Sequence, residues 1–129
     1  MSSFAEFVNR REAAGEAYSR GRSDQVEQLA SESEPSTFFG PDGRVLTGRT
    51  SIVESYRAGA SRFGPDGESR LEILQSAEGG DIAYWCGIQR AIVEMDGKAV
   101  AMNLRVTELF RREDGEWKLV HRHADFLKD

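Results

Sequence analysis

Cysteine is nearly absent from this sequence of 129 residues, and the single one, Cys86, excludes an internal disulfide and a thiolate metal cluster. A reducing cytoplasm is the expected setting. Basic residues are outnumbered, giving a net charge of −5, which argues against nonspecific binding to nucleic acid or to anionic membranes. Local basic pockets remain compatible with that balance. No apolar run approaches the ~18 residues needed to span a bilayer, and the N-terminus lacks a basic-then-apolar signal pattern. Histidine is scarce, with His121 and His123 the only two. Repeats, linkers and low-complexity runs are missing as well.

What is present reads as an ordinary globular chain, 39% apolar and 30% charged, expected to form one domain over residues 1–129. That length suffices to bury roughly two-thirds of the unfolded surface around one core. Phe4, Phe7, Val8, Arg11, Ala14 and Tyr18 follow a 3–4 spacing and make one face of a helix over residues 3 to 21. A second helix is expected from Asp24 to Ser33, capped by Ser23 or Asp24 and stopped by Pro35. Ser36–Phe39 and Val45-Leu46 read as short strands around a Gly-Pro-Asp-Gly turn. Gly48 to Phe63 reads as a third helix, with Ser51 and Glu54 at capping-box spacing. Beyond Gly64-Pro65-Asp66-Gly67 the chain is strand after strand: Leu71–Leu74, Ile82–Val93, a fifth strand after Asp96-Gly97, and a hairpin from Met102 to Phe126. Helices first and an antiparallel sheet afterwards predict an α+β domain with the helices on one sheet face.

Register decides which side chains share a face. Asp114-Gly115 is a strong hairpin signal, and a two-residue turn there places Val106 opposite His123. A three-residue loop, Glu113-Asp114-Gly115, pairs Arg112 with Glu116 and gathers Met102, Leu104, Val106, Phe110, Val120 and Ala124 on one face. The second register is preferred because it collects the apolar residues. An analogous loop at Met95-Asp96-Gly97 adds Tyr84, Cys86, Ile88, Arg90 and Ile92 to that inner face. Trp117, Leu119, Trp85 and Leu109 then point outward.

The pattern R-V-T…F-R-R-x-D-G-x-W-K-L-V-H-R-H, from Arg105 to His123, resembles the last two strands of the SnoaL-like, ketosteroid-isomerase-like group of the nuclear transport factor 2 superfamily. That superfamily includes the association domain of calmodulin-dependent kinases. The resemblance implies a cystatin-like α+β cone: three N-terminal helices packed on a strongly curved, mixed, mainly antiparallel sheet, with a small-molecule pocket at the open end. It also implies pairing into a homodimer through the other sheet face. It does not fix an activity, because the fold hosts isomerases, cyclases, hydrolases and non-enzymes.

Arg90, Glu108 and Arg122 are charges on the expected inner face, and buried charges are costly unless paired. Arg90 and Arg122 are therefore candidates to hold an anionic ligand, with Glu108 orienting an arginine or acting as a general base. The resemblance supports Arg90, which matches a pocket arginine of the kinase association domains; those domains carry arginine where Glu108 stands. The bland alternative leaves all three solvated at strand ends. Tyr18 and Tyr84 are candidates for hydroxyls at the pocket mouth, and Phe38, Tyr56 and Trp85 for core. His121 and His123 with Asp125 have the look of a metal site, but the register puts them on the outer face. No metal or cofactor is expected, although a strand bulge between residues 118 and 123 would turn His121 into the pocket. Steroid isomerisation is not implied: ketosteroid isomerases use a first-strand aspartate and a penultimate-strand acid, where this chain has Phe38-Phe39-Gly40 and Val106 or Thr107. The expectation is a small-molecule-binding protein for a polar or anionic ligand. The alternatives are a lyase, isomerase or cyclase using Glu108 with Arg90 and Arg122, and an oligomerisation module.

Overall fold

The computed structural model describes residues 3–128. The first helix, α1 (Phe4–Ser19), starts where the Ser3 hydroxyl accepts the Glu6 N–H. It buries Phe4, Phe7, Arg11, Ala14 and Gly15. The second, α2, is only Asp24–Leu29 rather than reaching Ser33. It stops early because Ala30 turns extended and bridges Leu119, and the Ser31 N–H then bonds the Leu119 carbonyl. The Arg49 guanidinium takes the carbonyls left open at its C-terminus, including Ala30 O at 2.7 Å. Two three-residue strands follow, β1 (Thr37–Phe39) and β2 (Val45–Thr47), and then α3 (Arg49–Ala60). Gly48, not Ser51, caps α3, and the Glu34 carboxylate accepts the Arg49 N–H.

The remaining strands are β3 (Glu68–Gly79), β4 (Ile82–Met95), β5 (Lys98–Ala101), β6 (Leu104–Glu113) and β7 (Glu116–Phe126). They join β1 and β2 in one mixed sheet of order β2-β1-β7-β6-β4-β3, with β5 on β4 and only β1–β7 parallel. The helices lie on one face of it. Phe4, Phe7, Trp85, Phe110 and Trp117 meet in the core between them. Phe7 and Phe110 pack edge to face at 4.9 Å.

Two details of the hairpins overturn the expected faces. Asp96-Gly97 and Asp114-Gly115 both form two-residue turns with positive φ at each position (54° and 75°; 53° and 82°), the twist that suits paired strands. In β4 this shifts register by one residue, so Ala83, Trp85, Gln89 and Val93 face inward. Tyr84, Cys86, Ile88, Arg90 and Ile92 therefore lie on the opposite face, away from Leu104 and Val106. In β7, Val120 is an extra residue: Phe110 pairs with Leu119, but Leu109 pairs with His121. The bulge lets Trp117 and Leu119 point inward on one side of it and Arg122 and Ala124 on the other. His121 stays outside. The inner face of β6 is as expected, with Leu104, Val106, Glu108 and Phe110 buried. Among the described residues no helix is long and apolar enough to cross a membrane.

Candidate functional site

Glu108 is fully buried in mid-β6 and accepts four hydrogen bonds. Arg11 of α1 reaches across the core with Nε on Oε1 and Nη2 on Oε2, both 2.9 Å. Trp85 Nε1 donates to Oε1 at 2.7 Å, and Arg122 Nη1 to Oε2 at 2.6 Å. Burial alone would push this carboxyl up. The charges and hydrogen bonds of Arg11 and Arg122 outweigh it and hold the group at about 2. The same partnership raises Arg11 despite its desolvation. Arg122 continues the network through Nη2 to Gln89 Oε1 at 2.6 Å, and Gln89 Nε2 donates to Ser69 Oγ at 3.3 Å.

Above this network a cavity of about 580 Å³ opens between α1, α3, the β1–β2 end and the concave sheet. Its walls are apolar, with Val26, Phe38, Leu46, Phe63, Val93 and Leu104 prominent. Its polar end is made of Arg11, Arg122, Tyr18, Tyr56, Gln89 and Ser69, and Asp42, Arg44 and Arg62 also line it. Two buried donors there have no partner: Arg11 Nη1 and the Tyr56 hydroxyl. Burial pushes both the Tyr56 and Tyr18 phenols up, against the pull of the nearby arginines.

Of the residues singled out from sequence, Tyr18 and Arg122 line this cavity, and Glu108 lies fully buried beneath it, bonded to Arg122. Arg90 and Tyr84 do not. The β4 register turns Arg90 to the outer face, where its Nε meets Glu72 at 2.7 Å, and Tyr84 donates to Gln75 on that side. Cys86 is half-buried on the same face. His121 shares a 2.7 Å hydrogen bond with Thr37, and Phe39 lies edge-on to both histidines. Burial, with His123 beside it, holds His121 below the usual imidazole value. No group of three metal-ligating side chains converges among the described residues. Arg11, Tyr56 and Gln89 were missed as site residues. The signal for Arg11 was present, a lone cation on an apolar helix face. That for Gln89 was hidden by the one-residue slip in β4.

A helical layer over one face of a mixed sheet, with a closed polar end beneath an apolar cavity, defines a class of α+β pocket folds. Within that class the chain belongs to the SnoaL-like domain family, whose sequence profile matches residues 10–127. No curated protein matches it. Among solved structures it is similar to a nuclear transport factor 2 (NTF2-like) superfamily protein from Salmonella enterica, at 17% identity and a TM-score of 0.79 over 96% of this chain and 88% of that one. It is also similar to the association domain of C. elegans CaMKII, at 18% identity and a TM-score of 0.69 over 94% and 93% of the two chains. An NTF2-like protein of unknown function in nutrient uptake from Rhodospirillum rubrum is 27% identical, with a TM-score of 0.66 over 98% and 100%.

Proposed function

We propose that this protein binds a small molecule with an apolar body and a polar or anionic end. The observation that carries this is the cavity itself: about 580 Å³ of mainly apolar space ending in hydrogen-bond donors, the pattern of a specific ligand site. Binding is favoured over catalysis because the cavity lacks a free base among its described lining residues. Asp42 pairs with Arg44 at 2.8 Å, and Glu108, sealed beneath the cavity, has its acceptor positions occupied. A lyase, isomerase or cyclase built on Glu108 with Arg90 and Arg122 has less support, since Arg90 lies on the other face. The half-buried single Cys86 suits a reducing, cytoplasmic setting.

The test is thermal unfolding against a panel of acids, ketones and steroids. A true ligand at 100 times its Kd adds about 2.7 kcal/mol, roughly a 10 °C rise for a chain of this size. Ala91 lines the cavity, so Ala91→Leu should reduce the rise by narrowing it. A panel in which nothing stabilises the wild type would sink the reading.

A second reading, an assembly module, is favoured by the outer sheet face. It exposes Ile82 (52%), Ile92 (42%), Leu109 (38%) and Phe39 (37%), and one structural relative is a kinase association domain. We infer a homodimer through this face. Light scattering should give twice the chain mass for wild type and the single mass for Leu109→Glu; a monomeric wild type at tens of micromolar would remove the idea.

A further inference from the structure

Arg11 and Gly15 are four residues apart on α1 and so stack on one helix face. Gly15 has no side chain where one would matter. A Cβ there would lie 3.3 Å from Arg11 Nη1, 3.3 Å from Gln89 Nε2 and 3.7 Å from Ser69 Oγ. The glycine therefore leaves a recess on which three polar groups converge, and all four residues line the cavity. Arg11 is 2% exposed, its Nε and Nη2 are committed to Glu108, and its Nη1 has no partner. Tyr56, 9% exposed and lining the same cavity, holds the second unpartnered donor there, its hydroxyl. Orphaned donors in a buried site are costly, so an acceptor belongs there.

The charge identifies the acceptor. Arg11 and Arg122 carry two positive charges against the one negative charge of Glu108, which leaves an excess of one buried positive charge. A monoanion neutralises that excess. A carboxylate also presents two oxygens that planar guanidinium and amide donors fit. Resting on the cavity reading above, we propose that the Gly15 recess is the head-group subsite and takes the carboxylate of an amphipathic monocarboxylic acid. Arg11 Nη1 and the Tyr56 hydroxyl donate to it, and the apolar body fills the wider cavity.

Calorimetric titration of the full chain tests this with straight-chain and phenyl-substituted monocarboxylic acids, their primary amides and neutral steroids. Wild type should bind its best acid at least tenfold more tightly than the matching amide, the scale of a charge-assisted hydrogen bond. Tyr56→Phe removes a hydroxyl that bonds nothing in the protein, so its midpoint should hold or rise while acid affinity falls about tenfold. Gly15→Ala places a methyl in the recess and should erase the acid-over-amide preference without ending amide binding. Equal affinity for acid and amide, or binding of neutral steroids alone, overturns the carboxylate subsite and leaves the cavity reading intact. An acid preference untouched in Tyr56→Phe also overturns it, since the recess would then hold only water and the acid would sit at the mouth. If no probe binds, both readings fail together. Should Gly15→Ala fail to fold, Tyr56→Phe decides.

Discussion

Replacing Glu108 with glutamine is expected to destabilise the fold by about 3–5 kcal/mol, the usual consequence of removing one partner from a buried ion pair. Against a typical total of roughly 5–15 kcal/mol, that brings the protein close to unfolding. The amide keeps the shape but loses the charge that neutralises Arg11, and its NH2 group confronts either the Arg11 and Trp85 donors on Oε1 or the Arg11 and Arg122 donors on Oε2. The loss should not be additive. In an Arg11→Met/Glu108→Leu variant the uncompensated charge of Arg11 is gone, so the double change should cost less than the sum of the two single ones. Chemical denaturation of Arg11→Met, Glu108→Leu and the double variant measures this.

The same ion pair fixes the acid side of the stability profile. The Glu108 pKa is depressed from 4.5 to about 2, so the folded state binds fewer protons than the unfolded one across that window. Its contribution is fully present above pH 4.5 and is lost as pH falls toward 2. For this fully buried group the contribution is on the order of 3 kcal/mol.

Gly87→Ala should lower the unfolding midpoint by roughly 10 °C, a loss of about 3 kcal/mol. Strand propensity alone predicts the reverse sign, because glycine weakens a strand relative to alanine. The geometry overrides propensity: a Cβ at position 87 would run into the Glu72 carbonyl oxygen and come within 2.9 Å of Leu74 N. Those atoms are backbone at the β3 irregularity, where pairing jumps from Ile73–Gly87 to Gln75–Cys86. β4 is held between β3 and β6, and moving the edge strand β3 away would break its ladder hydrogen bonds to β4. Ile73→Ala, partly exposed at 39% in the same stretch, is the control and should cost far less. A Gly87→Ala protein as stable as wild type would mean that β3 and β4 are not apposed closely enough at Glu72 and Leu74 to exclude a methyl group.

The order of elements was legible because helical spacing, turn residues and strand runs are local signals, and each falls where the chain requires it. The inner face of β6 was legible too, since Leu104, Val106, Glu108 and Phe110 alternate without interruption. Register was harder. A two-residue and a three-residue loop at Asp96-Gly97 differ by one position, and that position inverts the whole of β4, carrying Arg90 and Tyr84 out of the site and Gln89 into it. In β7 the run Trp117, Leu119, Val120 already departs from alternation, the local mark of the Val120 bulge. Propensity could not say which residue was the extra one. The partnership of Arg11 with Glu108 spans 97 positions. No local pattern announces such a pair; only the unmatched charge on each apolar face hints at it.

Glu108 acts here as a counter-ion that stays ionised well below its usual range and orients two arginines, rather than as a proton acceptor. The most direct test is the carbon-13 chemical shift of the Glu108 side-chain carboxyl, followed by NMR in isotopically labelled protein from pH 8 downward. The expected result is no titration of that resonance above pH 4 while the protein stays folded. A titration midpoint between pH 5 and 7 would contradict it and return Glu108 to the role of general base.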